Sequence, residues 1–126
     1  MEIEKGSLKV VKVLVIDDNP AMVKLLAIRL LTQKYEVVTA SNGIEGLNAA
    51  REHLPNLIIL DVNMPELDGC GFVDEIKEID VLKKIPIIVY TAKDDLQNFL
   101  LEKGVNAYLK KPLDPTVFLE KIKTFV

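Results

Sequence analysis

The sequence predicts an α/β fold, a (βα)5 doubly wound parallel five-stranded sheet with helices on both faces. Three observations carry this. Five short apolar runs recur along the 126 residues, segments with helical spacing separate them, and the middle runs lack the alternation of a half-exposed strand. Strand and helix alternating five times calls for parallel pairing through right-handed crossovers. A chain of 126 residues suits one compact domain, expected over residues 10–126 behind a short polar leader at residues 1–9.

The first strand is expected over Val10–Ile16, followed by Asn19-Pro20, a helix cap with proline at the first helical position. Val23, Leu26, Ala27 and Leu30 then form one apolar stripe. Tyr35–Thr39 is a second, more mixed strand and reads as an edge. A helix opening near Asn42-Gly43 is expected to carry Ile44, Leu47 and Leu54 inward. Asn56–Leu60 is the third strand, its Leu57–Leu60 core Leu- and Ile-rich as burial on both faces demands. The third helix runs from Gly69 to Ile79, with Phe72, Ile76 and Ile79 on one face. Ile85–Tyr90 is the fourth strand. A helix over Asp94–Lys103 groups Leu96, Phe99 and Leu100 and stops at Gly104, a residue type favoured just past helix ends. Asn106–Leu109 is the fifth strand, and Asp114-Pro115 caps a last helix that buries Phe118, Ile122 and Phe125. The favoured strand order is the flavodoxin-like 2-1-3-4-5.

Composition narrows the function. Hydrophobic residues make up 49% and charged residues 28%, as in a folded globular chain. Lys plus Arg number 16 against 19 Asp plus Glu, a net charge of -3, which argues against direct nucleic-acid binding because that rests on a basic surface. Cys70 is the one cysteine, more a small buried hydrophobe than a redox sensor, and the first residues lack a secretory apolar region, so a cytoplasmic protein is expected. Lys24 and Arg29 interrupt the most apolar helix, which excludes membrane insertion. His53, the one histidine, rules out histidine-based zinc clusters and reads as a surface residue near a helix end.

In an open α/β sheet, ligands bind beyond the carboxyl ends of the strands. Asp17 and Asp18 follow the first strand, Asp61 the third, Thr91 and Ala92 the fourth, and Lys111-Pro112 the fifth. Each has a plain structural role when taken singly: Asp17 or Asp18 as a cap, Thr91 as a turn residue, Lys111 as a solvated charge. Jointly they do not. Three carboxylates at one edge repel one another unless a cation intervenes, Lys111 supplies one positive charge, and a divalent ion balances the rest. Oxygen donors alone point to Mg2+, with Mn2+ as the other option. With such a metal, Asp61 becomes a candidate nucleophile towards phosphorus. The three peripheral oxygens of a phosphoryl group then find partners in the metal, Thr91 and Lys111.

These segments resemble the receiver domains of two-component response regulators. The carriers are Ile16-Asp17-Asp18, Asp61-Val62-Asn63-Met64-Pro65-Glu66-Leu67-Asp68-Gly69, Tyr90-Thr91-Ala92 and Tyr108-Leu109-Lys110-Lys111-Pro112, in order over Val10–Val126. The resemblance implies a phosphoacceptor of a phosphorelay, similar to the single-domain chemotaxis regulators. Asp61 would be the phosphorylation site, Asp17 and Asp18 the acidic metal pair, and the backbone carbonyl of Asn63 a further metal ligand. Lys111, before a proline usually preceded by a cis bond, would contact the phosphoryl group. Thr91 would swing towards it while Tyr108 turns inward, switching the surface of the fourth helix, fifth strand and fifth helix. Asn63 and Lys93 match positions that tune phosphate lifetime. Gly71 departs from family usage, where a helix former is expected. Implied partners are a histidine kinase or histidine phosphotransfer protein upstream and a downstream protein or output domain; monomer and phosphorylation-dependent dimer both stay open. So do a free-standing receiver and a segment of a longer regulator.

Other classes fit less well. A Mg2+-dependent phosphatase with an aspartate nucleophile wants a nucleophile and an acid two apart after the first strand, whereas Asp17 and Asp18 are adjacent. A flavin-phosphate site needs a small-residue loop where Asp17-Asp18-Asn19-Pro20 stands. A receiver-like docking module that is never phosphorylated would not need the full residue set.

Overall fold

The computed structural model describes residues 10–62, 69–92, 97–112 and 114–126, so the leader expected at residues 1–9 lies outside the described residues. Strands β1 (Lys12–Ile16), β2 (Glu36–Ala40), β3 (Leu57–Leu60), β4 (Ile87–Thr91) and β5 (Ala107–Lys110) alternate with helices α1 (Pro20–Thr32), α2 (Gly43–His53), α3 (Gly69–Lys77), α4 (Gln97–Glu102) and α5 (Pro115–Phe125). All pairings are parallel and the order is β2-β1-β3-β4-β5, the predicted fold class. Among the described residues no helix is long and apolar enough to cross a membrane.

The apolar runs explain the sheet. Leu14, Ile16, Ile58, Leu60, Ile87 and Val89 pack on one face with α2, α3 and Leu100 of α4. Val13, Val15, Leu57, Ile59, Ile88 and Tyr90 pack on the other with Leu26 and Leu30 of α1 and Phe118 and Ile122 of α5. Because strand side chains alternate between faces, a central strand covered by helices on both sides is apolar at every position, which is how β3 and β4 read. β2 is only partly covered, as its mixed sequence foretold.

The helix starts follow the cap chemistry. Asn19 accepts from the N–H groups of Ala21 and Met22, and Asp114 from those of Thr116 and Val117. Asn42 accepts from Glu45 N–H, and Glu45 reaches back to the N–H and hydroxyl of Ser41. Those hydrogen bonds hold the Glu45 carboxyl below its ordinary range. Two asparagines brace strand starts from the side: Asn56 accepts from Lys12 N–H and Asn106 from Ile87 N–H.

Three helical expectations are corrected. In α2, Leu47 is buried but Ile44 and Leu54 are 51% and 56% exposed. The inward face consists of Gly43, Gly46, Leu47 and Ala50, and Leu54 is the left-handed cap residue that ends the helix. Small residues let the α2 backbone sit close to the sheet, leaving large apolar ones beside them rotated outward. The third helix ends at Lys77 rather than Ile79, because Glu78 and Ile79 donate to Glu75 and Ile76 in tighter three-residue turns. In α4, Leu100 is buried and Gly104, at φ 101°, ends the helix, but Phe99 is 48% exposed with the Lys103 ammonium 4.8 Å from its ring centroid. The expected start at Asp94 and the Leu96 contact lie outside the described residues.

A Cβ on Gly46 would stand 2.6 Å from Ile16 Cδ1 and 3.3 Å from Phe72 Cε1, both in the fully buried core. Gly46→Val is expected to lower the unfolding free energy by about 2 kcal/mol through overpacking. Gly46→Ala should come closer to neutral, since better helix propensity returns about 1 kcal/mol. Urea midpoints at unchanged slope would check this ordering.

Candidate functional site

Strand register places the site. Ile16, Leu60, Val89 and Tyr108 lie in one row across β1, β3, β4 and β5. One residue further along come Asp17, Asp61 and Tyr90, all directed to the α1/α5 side by the alternation that sends Val15, Ile59 and Ile88 there. Backbone hydrogen bonds hold this edge: Asp17 N–H donates to Ala40 O at 3.1 Å and Asp61 N–H to Ile16 O at 3.0 Å.

One carboxylate oxygen from each of Asp17, Asp18 and Asp61 lies within 4.8 Å of the other two. Asp17 and Asp61 are buried, at 1% and 5% exposure, while Asp18 faces solvent. The Lys111 ammonium is 3.2 Å from Asp61 Oδ2 and 3.7 Å from Asp17 Oδ2. Lys111 N–H donates to Thr91 O at 2.8 Å, and the Lys111–Pro112 bond is cis, as the resemblance implied. Among the described residues, three carboxylate oxygens with the Lys111 ammonium beside them form a donor set suited to a hard divalent cation, without sulfur or imidazole, and one face opens to water through Asp18.

Tyr90 completes the cluster. Its hydroxyl donates to Asp17 Oδ2, and Asp17 Oδ1 accepts from Asn19 N–H at 2.9 Å. The Lys111 ammonium rests 4.7 Å from the Tyr90 ring centroid. Burial, the hydrogen bond to Asp17 and the charges of Asp17, Asp61 and Asp18 push the phenol far above its ordinary value, so it stays protonated and remains a donor. Sequence reasoning noted Tyr90 only as a neighbour of Thr91. The available signal was a tyrosine ending an otherwise aliphatic buried strand, since a buried phenol needs a partner.

Of the residues singled out from sequence, Asp17, Asp18, Asp61 and Lys111 meet in this cluster. Thr91, 1% exposed, ends β4 with the opposite parity to Tyr90, on the face of Ile87 and Val89. Tyr108 is half-buried, paired in register with Val89, and packs against that same face. Thr91 and Tyr108 thus share one side of the sheet edge, and Tyr90 and Lys111 the other. Asn63 and Lys93 lie outside the described residues. Cys70 is half-buried against the core in the first turn of α3, His53 ends α2, and neither belongs to the acidic cluster found among the described residues.

Residues 13–123 match the family model described as the response regulator receiver domain. Over 117 residues the chain is 35% identical to the polar-differentiation response regulator DivK of Brucella anthropi, spanning 90% of this chain and 94% of that protein. The chemotaxis protein CheY4 of Vibrio cholerae superposes with a TM-score of 0.87 at 29% identity, over 94% of this chain and 100% of that one. The receiver domain of a sensor histidine kinase from Pseudomonas aeruginosa, solved with a magnesium ion coordinated in its active-site cleft, gives a TM-score of 0.85 at 25% identity over 93% of this chain and 98% of that one. Four other curated relatives are longer, and the chain spans 44–50% of their length. The chain belongs to the receiver domains of two-component response regulators.

The acidic cluster carries a stability signature. With a chelator present, Asp18→Asn is expected to raise the unfolding free energy by about 1 kcal/mol, because it removes a like charge beside two buried carboxylates. In excess Mg2+ the native chain should gain more stability than the variant and close or reverse that gap. Urea denaturation under the two conditions measures both.

Proposed function

We propose that this receiver domain takes a phosphoryl group onto Asp61 and that the modification changes the surface formed by α4, β5 and α5. The observation that carries the proposal is the setting of Asp61: a buried carboxylate at the end of the central strand, paired at 3.2 Å with Lys111 and grouped with two further acids. A structural carboxylate would need neither the extra acids nor the lysine.

In the proposed reaction an Asp61 oxygen attacks the phosphorus of a phosphohistidine on a histidine kinase or histidine phosphotransfer protein. The P–N bond breaks, its electron pair returns to the imidazole, and Asp61 becomes an acyl phosphate. The Lys111 ammonium, already at Asp61, pairs with the arriving phosphoryl oxygens. The Thr91 hydroxyl on the neighbouring strand end supplies a second donor. Asp17, Asp18 and Asp61 are the residues that would hold Mg2+, which when bound screens the carboxylates and the incoming phosphoryl charge. Catalysis is limited to the chain's own phosphorylation and dephosphorylation.

The output follows from the placement of Thr91 and Tyr108. Both face the side of the sheet that α4 covers, with Tyr108 only half-buried there. Thr91 drawn towards the phosphoryl oxygens leaves space on that face, and Tyr108 turns into it, biasing α4, β5 and α5 towards a second arrangement that a downstream protein reads. That surface also offers the contact for a phosphorylation-dependent dimer.

Intact mass after incubation with acetyl phosphate tests the reading. The native chain is expected to gain one phosphoryl group with Mg2+ and none with a chelator, and Asp61→Ala to gain none in either. A chain that takes up no phosphate under any condition would be a receiver-shaped docking module instead.

A further inference from the structure

Tyr90 touches both ends of the site. Its hydroxyl donates to Asp17 Oδ2, and its ring underlies the Lys111 ammonium at 4.7 Å from the centroid. Lys111 itself stands between two buried carboxylates, 3.2 Å from Asp61 Oδ2 and 3.7 Å from Asp17 Oδ2. Two buried carboxylates therefore compete for one ammonium, and the closer contact goes to Asp61, although Asp17 is the more deeply buried at 1% against 5% exposure. Asp17 is compensated instead by the Tyr90 hydroxyl at Oδ2, alongside the Asn19 N–H at Oδ1. We propose that Tyr90 is a positioning residue that compensates Asp17 with a neutral hydrogen bond and so keeps Lys111 on Asp61, leaving Asp17 available to a divalent cation. This deepens the metal and phosphoacceptor reading of the site and rests on it.

The consequence of removing the hydroxyl follows from charge and distance. Tyr90→Phe retains the ring beneath Lys111 but leaves a buried carboxylate without its hydroxyl donor, a change that costs more than the gain from a typical hydrogen bond. The cation able to respond is Lys111, which needs only to close the 3.7 Å separation to hydrogen-bonding range. Once there, the ammonium occupies Asp17 and opposes any cation that binds the three acids. A role limited to filling the core would show no such effect, since phenylalanine fills nearly the same volume.

Calorimetric titration with Mg2+ alone, on the native chain, Tyr90→Phe, Lys111→Met and the double variant, separates these cases. The phenylalanine variant is expected to bind Mg2+ about three- to tenfold more weakly than the native chain. In the Lys111→Met background the same substitution should cost little, because the competing ammonium is gone, giving a strongly non-additive cycle. Additive effects, or unchanged or tighter binding by Tyr90→Phe, would overturn the proposal.

A variant-free readout comes from the native chain, which has no tryptophan and three tyrosines, so tyrosine emission is directly visible. Mg2+ drawing charge from Asp17 should weaken the phenol–carboxylate bond and change that emission, and Tyr90→Phe should abolish the change. Mg2+ binding with no tyrosine response in the native chain would also overturn the role of Tyr90, while phosphoryl uptake by Asp61 could stand. A native chain that binds no Mg2+ would instead bring down the metal reading together with this inference.

Discussion

Three carboxylates held at one sheet edge, with oxygens within 4.8 Å of one another, are the constraint on which the rest of the site depends. Like charges at such range repel strongly where water is scarce, and Asp17 and Asp61 are both buried. The fold holds them there because parallel register leaves little choice. Rows of paired residues end together at Ile16, Leu60 and Val89, so whatever follows them is delivered to the same edge. The apolar burial that drives sheet formation thereby sustains an electrostatic arrangement that would not assemble by itself.

The remaining residues of the site make that arrangement tolerable without neutralising it. Lys111 provides one positive charge, Asn19 N–H and the Tyr90 hydroxyl tie down both oxygens of Asp17, and Asp18 stays in contact with water. What is left is a net negative cluster with an open face. Such a cluster is poised to gain when a divalent cation arrives, and a carboxylate with its ammonium already in place is poised to gain when a phosphoryl group does. The same electrostatics that burdens the fold prepares the chemistry proposed for it.

The sheet also divides the labour. On the α1/α5 side, Asp17, Asp61, Tyr90 and Lys111 form the charged cluster. On the other, Thr91 and Tyr108 face the side on which Leu100 of α4 is buried. Consecutive residues of one strand, Tyr90 and Thr91, therefore serve opposite faces, one supporting the acids and one addressing the surface proposed to respond. α4 suits that position: its described part is six residues long, with Leu100 as its buried residue.

Much of this was legible in the sequence because it depends on local order. Five apolar runs, the caps at Asn19 and Asp114, the stop at Gly104 and the acids and lysine just past strand ends are properties of neighbouring residues, and general rules of parallel sheets carry them to one edge. Sequence pattern misleads where large apolar residues do not mark the buried face. In α2 the face belongs to Gly43, Gly46, Leu47 and Ala50, since close approach to Ile16 excludes side chains there, and Ile44 and Leu54 remain outside. Tyr90 as the partner of Asp17 was likewise invisible, because 73 positions separate them and their meeting depends on strand register and face parity together. The sequence by itself determined the elements, their order and the inventory of the site. The tertiary structure decided which small residues pack, which carboxylate the lysine favours and which phenol supports it, because distances between side chains on different strands exist only once the strands have paired.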